Sequence, residues 1–224
     1  MSTKCLVTTL DGIVNNPNLP VFSPLTEVSG IKVGAVGQYI PLDDYIGDSK
    51  ANKLIIEFEI TLNTAITAYS GRSALFGCRY AMLGVDLEET NAIGNVKQNG
   101  STVNNLFTVG TKSRVKLSAV NGTAIVDDTT YDWTAVSADS TIDNGSLFTL
   151  YSGTTPSGNA KAEVFTLHSF KVYDADISTT VPILDLIPCV DRNNKGLFYD
   201  KVSGNSLYAL NVNQAGSTDL IVVE

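Results

Sequence analysis

The sequence predicts an all-β protein: two antiparallel sheets packed face to face as a jelly-roll β-sandwich, preceded by an extended N-terminal arm. Three observations carry this. Short apolar segments alternate with period two, which puts successive side chains on opposite faces of a strand. Asn-Gly pairs and other Gly- and Asn-rich clusters punctuate those segments as turns. No segment sustains a 3.6-residue apolar stripe for more than about two turns. With 224 residues, 43% of them hydrophobic, the chain suits one core, because all-β sandwiches of this length form single domains. Residues 31–224 read as the sandwich and residues 1–30 as an arm or edge segment.

The arm holds Pro17, Pro20 and Pro24 in DGIVNNPNLPVFSPLTEVSG, and proline favours extended backbone. Alone it buries too little apolar surface to offset the entropy of ordering it. Yet Val14, Leu19, Val21, Phe22 and Leu25 are too apolar for a plain solvated tail, and an extended strand can add to a neighbour's sheet edge. These five residues are the expected anchoring contacts to another subunit.

IKVGAVGQYI (31–40) is the first expected strand of the body. In LIIEFEITL (54–62), Leu54, Ile56, Phe58, Ile60 and Leu62 share one face, while Glu57 and Glu59 point outward as a solvated face. SALFGCR (73–79) follows. In VKLSAVNGTAIV (115–126), Asn121-Gly122 fits a two-residue type I′ turn, since both central positions need positive φ; this sets Val120 opposite Thr123 and Leu117 opposite Val126. Asn99-Gly100 and Asn144-Gly145 give the same signal, the latter leading into SLFTLYS (146–152). All three pairs precede Ser or Thr and so also spell glycosylation sequons, but without a secretory signal the turn reading is preferred. EVFTLHSFKVY (163–173) and VPILDLIP (181–188) are further strands, with Pro188 expected to end regular pairing. DRNNKG makes a turn, LFYD a short strand and KVSGN a second turn, and SLYAL closes the sheet. Asp185, Asp191 and Asp200 then read as turn formers and Cys189 as a small buried apolar residue.

The formal charge is −8, with the 15 basic residues scattered, so nucleic acid and anionic membranes are poor partners. MSTKCLVTTLDGIV lacks a signal-peptide core, and the longest apolar runs fall short of the roughly 20 residues of a membrane helix. The expectation is a soluble chain made in the cytoplasm. Cys5, Cys78 and Cys189 are widely spaced and read as free, mostly buried thiols.

Catalytic constellations fail. A triad would depend on the sole histidine, His168, yet no G-x-S-x-G elbow is present; a core or interface histidine is expected. One His and three dispersed Cys offer no zinc spacing. Glu57 and Glu59 have the alternate spacing of a glycosidase pair, but the next alternate position is Thr61 rather than a third acid. Asp127 and Asp128, Asp174 and Asp176, and Asp191 to Asn194 lack the spacing of a calcium loop and fit turn chemistry. No catalytic residue, metal or cofactor is expected. Tyr131 and Trp133, in DDTTYDWTAVS, are the glycan-binding candidates, since flat aromatic faces can stack on sugar; a packed aromatic covering the sandwich is the other reading.

The order EFEITL (57–62), ALFGCR (74–79), AIVDD (124–128), LFTLYSG (147–153), FKVYD (170–174), DLIPC (185–189) and GLFYDKVSGNSLY (196–208) resembles concanavalin A-like, laminin-G-type lectin and glucanase jelly rolls. The terminal run resembles the variant found in tailed-phage structural proteins and in gut bacterial surface proteins. Phe198 is inserted in GLFYD, and Asp127-Asp128 stands where Asp-Gly often follows the hairpin strand, so no ligand site is carried over. The resemblance implies a non-enzymatic virion structural protein shown on the particle surface, such as a capsid decoration protein, with other virion subunits as partners, most plausibly a capsid protein. The alternative it implies is a glycan-binding module of a phage receptor-binding apparatus or a cell surface. Because the fold hosts enzymes, lectins and passive shells alike, the choice rests on the site.

Overall fold

The computed structural model describes residues 25–63, 73–77, 84–87, 95–98, 101–103, 107–132, 141–142, 145–148, 151–152, 155–156, 164–212 and 214–224. The described chain opens with β1 (Thr26–Glu27), β2 (Gly30–Lys32) and β3 (Gln38–Pro41). One helical turn, α1 (Asp43–Ile46), and a 3₁₀ turn at Ala51–Lys53 lead into β4 (Leu54–Leu62). Short strands follow: β5 (Ser73–Ala74), β6 (Phe76–Gly77), β7 (Gly84–Leu87), β8 (Asn95–Gln98) and β9 (Ser101–Val103). A meander of β10 (Lys112–Ser118), β11 (Thr123–Val126) and β12 (Thr129–Asp132) precedes the brief β13 (Ser146–Leu147), β14 (Tyr151–Ser152) and β15 (Thr155–Pro156). The last third holds β16 (Phe165–Asp174), β17 (Leu184–Val190), β18 (Gly196–Asp200), β19 (Ser206–Leu207), β20 (Ala209–Asn211), β21 (Gln214–Thr218) and β22 (Ile221–Val223).

Among the described residues the main sheet runs β12-β11-β10-β4-β16-β17-β18-β19, with β1 paired to β17 and β2 lying between β16 and β22. A second sheet runs β21-β20-β3-β13-β6, and a smaller one β5-β7-β8-β9. All pairings are antiparallel. The two larger sheets enclose one core, to which Ile56, Phe58, Phe170 and Leu186 come from the main sheet and Ile40, Phe76, Leu147 and Ala209 from the second. Ring contacts tie the layers: Phe76 lies 5.6 Å from Phe170, and Phe148 lies 5.9 Å from Phe165 and 6.2 Å from Phe198. Each buried phenyl contributes about 1.5–3 kcal/mol of hydrophobic stabilisation. The two-sheet antiparallel sandwich read from the sequence is therefore the fold.

Local chemistry departs from the sequence reading at seven places. SALFGCR and SLYAL are each divided between sheets, since β5 pairs with β7 but β6 with β13, and β19 with β18 but β20 with β3. IKVGAVGQYI is two strands in different sheets, because Gly37 takes φ 91° and the Gln38 side chain accepts the Gly34 and Ala35 amides, turning the chain from one layer to the other. SLFTLYS likewise is not one strand: Phe148 sits at φ 65°, which drops its ring into the core.

The β10–β11 turn is a four-residue loop, Ala119–Gly122, with Ser118 opposite Thr123 and Leu117 opposite Ala124. Only Gly122 of the Asn-Gly pair has positive φ; its amide bonds the Ser118 carbonyl, and the Ser118 hydroxyl accepts the Asn121 amide. Ala119 meanwhile donates to Leu54, so it stays with β4 instead of pairing across the hairpin. The register differs from the expected one by two residues, which keeps every side chain on its face. The two-residue turn with both residues at positive φ lies instead at Asp127-Asp128, φ 44° and 69°, between Val126 and Thr129; aspartate tolerates this region better than most side chains. Asn99-Gly100 and Asn144 lie outside the described residues, although β8 and β9 pair with Gln98 opposite Ser101.

Pro188 does not end β17, since it lies opposite Phe198 and pairing continues to Val190. Its carbonyl accepts the Val28 amide, and in a strand a residue's N–H and C=O face the same neighbour. The missing donor thus faces the handover between β16, paired through Leu186, and β1, paired from Cys189, so no β17–β18 bond is lost. Finally, Asp185 is a strand residue rather than a turn former. The turn role does belong to Asp200, which is fully buried and accepts the Asp185, Val202 and Ser203 amides. It belongs also to Asp191, whose Oδ1 accepts the Asn193 and Lys195 amides; the Lys195 backbone bond leads the effects that hold this carboxyl below its ordinary value.

Candidate functional site on the outer sheet face

Residues opposite one another in the main sheet share a face, so the register defines its outer surface. One cross-strand row reads Lys116 on β10, Glu57 on β4, Lys171 on β16 and Asp185 on β17; the next reads Arg114, Glu59 and Ser169. Charge alternates in sign along the first row, the arrangement in which directly opposed side chains attract. Lys116 Nζ lies 2.7 Å from Glu57 Oε1, the Tyr173 hydroxyl donates to Glu57 Oε2 at 3.1 Å, and Arg114 stands 3.9 Å from the same carboxylate. Lys112 pairs with Glu59 at 2.5 Å and Lys171 with Asp185 at 3.0 Å. Glu57, Glu59, Arg114, Ser169 and Lys171 line a shallow depression of about 220 Å³ on this face.

The electrostatics follow from these neighbours. Burial alone would raise the Glu57 carboxyl; the Lys116 hydrogen bond and charge, the Tyr173 hydroxyl and Arg114 outweigh it and hold the group below its ordinary value. Tyr173 is pushed up to about 12 by burial, then by the charge and hydrogen bond of Glu57. Glu57 is therefore a fixed anion and Tyr173 a fixed donor, whereas a general acid needs a raised carboxyl. The sequence reading of a solvated carboxylate face is corrected here: Glu57 does point outward, but only 16% of its side chain is exposed, because the register brings Lys116 and Tyr173 over it. One oxygen of Asp185 is buried without a hydrogen-bond partner.

His168 occupies a β-bulge. Leu167 pairs with Ile60 and Ser169 with Glu59, which leaves His168 as the extra residue. Its Nε2 lies 2.9 Å from the Thr61 hydroxyl and its Nδ1 2.5 Å from the Ser29 carbonyl. The ring thus fastens the chain between β1 and β2 onto β4 and β16, and its orienting partner is a backbone carbonyl rather than a carboxylate. Gly30 permits this approach, since a Cβ there would stand 2.4 Å from Thr166 Cγ2 and 2.9 Å from His168 Nδ1. Among the described residues no three His, Cys, Asp or Glu side chains gather at a metal-binding distance, and no helix is long and apolar enough to cross a membrane. Asp127 Oδ1 accepts the Arg114 amide and Asp174 Oδ1 the Asp176 amide, contacts of the kind expected of aspartates at turns.

Tyr131 lies on the edge strand β12 opposite Ala124, partly buried against the core, while Trp133 lies outside the described residues. Of the arm candidates, Val14, Leu19, Val21 and Phe22 lie outside them; Leu25 packs against Ile187, Cys189 and Leu197. Cys189 is buried, and Cys5 and Cys78 lie outside the described residues. Tyr131 and Leu25 are not brought together: β12 and β17 are five positions apart in the sheet, about 24 Å at the usual strand spacing. Lys116, Arg114, Lys171 and Asp185 were not singled out as partners of the two glutamates, and the usable signal was the alternation of KSRVKLS against that of LIIEFEITL.

No protein-family model matches the chain, and no curated protein matches its sequence. Among solved structures, a mutant of Trypanosoma rangeli sialidase displaying trans-sialidase activity is similar over 67% of this chain and 25% of that one, at 14% identity and a TM-score of 0.38. The chain spans a quarter of that protein's length, and a likeness this loose carries no argument about activity.

Proposed function

We propose that this chain is a non-enzymatic structural domain displayed on the surface of a tailed-phage virion, a capsid decoration protein whose partner is a capsid subunit. The observation that carries the non-enzymatic part is the state of Glu57 and Glu59. The carboxylates with glycosidase-like spacing are each engaged by a lysine, and the neighbours of Glu57 hold it below its ordinary value, the opposite of what the proton donor of glycoside hydrolysis needs. The virion part rests on the resemblance of FKVYD through GLFYDKVSGNSLY, which falls on β16 to β19, and on the apolar arm. Many copies on a symmetric shell let weak individual contacts suffice. The test mixes purified protein with particles lacking it: saturable decoration by the full chain, reduced on deletion of residues 1–24, is the expected result. Failure of the full chain to bind any particle, or polysaccharide turnover that disappears in a Glu57→Gln, Glu59→Gln variant, overturns the reading.

A glycan-binding module is the second reading, favoured by the exposed polar edge of Thr129, Thr130 and Asp132 around Tyr131. It requires Trp133→Ala to weaken binding on a glycan array while leaving the fold intact; unfolding of that variant would make Trp133 a packing residue.

A further inference from the structure

The main sheet has two unlike ends. At one, β19 is two residues long before the chain passes through β20 into the second sheet. At the other, β12 is bonded to β11 on one side, and among the described residues no strand pairs with its other side. Which backbone groups that side offers follows from the register. The Asp127 amide donates to the Arg114 carbonyl on β10. Backbone direction alternates along a strand, so Asp127, Ile125 and Thr123 face β10, while Val126 and Ala124 face β12. Their opposites, Thr129 and Tyr131, complete the β11–β12 ladder. Thr130 and Asp132, both exposed, therefore turn their N–H and C=O groups away from the sheet, and among the described residues no hydrogen bond reaches those groups.

An open edge is a template for another strand, and proteins block such edges with lysine, proline or a bulge. β12, TTYD, holds none of these. Its charge is Asp132, and that carboxylate decides what can pair there. When two copies lie antiparallel, one register sets Thr130 opposite Asp132 of the second copy and Tyr131 opposite itself on a two-fold axis. A slip of two residues sets Asp132 opposite Asp128 in one direction and opposite itself in the other, and like charges directly opposed are destabilising. A slip of one residue sets an outward backbone group against an inward one. The remaining register is self-complementary on both faces. On the outer face the Thr130 hydroxyl meets the Asp132 carboxylate, once on each side of the axis. On the inner face the two Tyr131 rings, each packed against its own core, meet across it.

We propose that β12 is a docking edge for a second copy of this chain: two main sheets join through antiparallel β12–β12 pairing about a two-fold axis at Tyr131. The contact spans Thr130 to Asp132 on each side and stays under the roughly 1,200 Å² of total area that separates weak contacts from stable ones. The dimer is therefore concentration-dependent. Pairing brings two of every weak site on the chain together, which is where avidity begins. The inference stands without the virion and glycan readings, and its tests use neither particle nor glycan, so its failure and theirs are separable.

Sedimentation velocity of the full chain from about 10 µM to about 1 mM should show the weight-average coefficient rising from monomer toward dimer. Thr130→Pro removes an N–H that faces the second copy and no β11–β12 bond. It should weaken association about tenfold or more at an unchanged far-ultraviolet circular dichroism spectrum. Thr130→Lys sets a cation opposite Asp132 on both sides of the axis and should tighten association about threefold or more, whereas the register slipped onto Thr130 would oppose two lysines. In a Cys5→Ser, Cys78→Ser background, Tyr131→Cys should give a disulfide-linked dimer on oxidation. A self-opposed pair without backbone bonds stands about 4.5 Å apart at Cα, within disulfide reach. Thr129→Cys should not crosslink. A chain still monomeric at about 1 mM, association unaffected by Thr130→Pro, or association weakened by Thr130→Lys each overturns the proposal. Should the proline variant fail to fold, the lysine variant decides by the direction of its effect. A dimer that crosslinks through Thr129→Cys and not through Tyr131→Cys has another contact and overturns the proposal as well.

Discussion

Across β10, β4 and β16 the outer face of the main sheet carries Lys116, Glu57 and Lys171 in one row, whereas β17 and β18 carry Ile187, Cys189, Leu197 and Tyr199. The first region satisfies itself: each carboxylate has a cation within 3.0 Å, and the long side chains keep their charged ends near water. The second is held by apolar packing: Ile187, Cys189 and Leu197 are buried, with Leu25, Tyr199 and Tyr208 packed against them. One continuous sheet therefore satisfies one half of its outer face with ion pairs and the other with apolar packing.

Substitution separates the halves by magnitude. Leu197→Ala should lower unfolding free energy by about 2–4 kcal/mol, since it empties a fully buried site. Denaturant titration measures this, and a loss below about 1 kcal/mol would mean that the outer cluster is a surface rather than a core. On the charged half, Lys171→Met should cost less, about 1–2 kcal/mol, because Lys171 keeps a third of its side chain in water while Asp185, 9% exposed and already short of one partner, loses its cation. Replacing Asp185 by Leu in the same chain should recover most of that loss. If the double variant is worse than the single one, Asp185 is held by more than Lys171.

pH probes the charged half alone. The Glu57 carboxyl is lower folded than its ordinary value of 4.5, so its contribution to stability is present above about pH 4.5 and is lost as pH falls through the folded value. The stability gap between wild type and Glu57→Gln should be flat near neutrality and close in acid. Tyr173 has the opposite sign: its folded value stands near 12 against an ordinary 10, so between those limits the unfolded chain ionises first and stability falls as pH rises. Tyr173→Phe should lack that part of the alkaline decline. An identical alkaline slope in both proteins would show that the hydroxyl is not held against Glu57.

How far these halves were legible in the sequence follows from the range of the interactions that make them. β4 was readable residue by residue, because its alternation Leu54, Ile56, Phe58, Ile60, Leu62 is local and one face is buried. The strand–turn–strand order from Leu184 to Leu207 was readable for the same reason, through Asp191 and Asp200 at its turns. Lys116 opposite Glu57 was not: these residues are 59 positions apart, and alternation says which face a side chain takes but not which strand lies beside it. His168 was legible as a strand residue but not as a bulge, since the extra residue is defined only against β4, and it is half-buried rather than a core residue. The outer apolar cluster was legible in part: VPILDLIP is apolar at most positions of both alternating faces, as a strand buried on both sides is, and β17 is such a strand, but alternation does not say what packs on its second face. Pro188 misled because its effect depends on which neighbour its missing N–H faces.

The smallest expected effect concerns the hairpin at the edge of the charged half. Asp127 and Asp128 both take positive φ between β11 and β12, a conformation that glycine adopts without steric cost and that aspartate tolerates at a modest one. The two are not equivalent. Asp127 accepts the Arg114 amide through Oδ1 at 2.7 Å, so its side chain offsets its strain by closing the strand pair that presents Arg114 to Glu57. Asp128, at φ 69°, has no hydrogen bond of that kind across the hairpin to forfeit. Asp128→Gly should therefore leave the fold unchanged and raise stability by a few tenths of a kcal/mol, about 0.5, the relief at φ exceeding the added freedom of the unfolded chain. Asp127→Gly should instead lower it by about 0.5–1 kcal/mol, since the Arg114 amide loses its acceptor. Thermal melts of the two variants decide the matter: equal shifts would mean that the turn is set by backbone conformation alone, and that the Asp127 side chain does nothing to hold Arg114 beside Glu57.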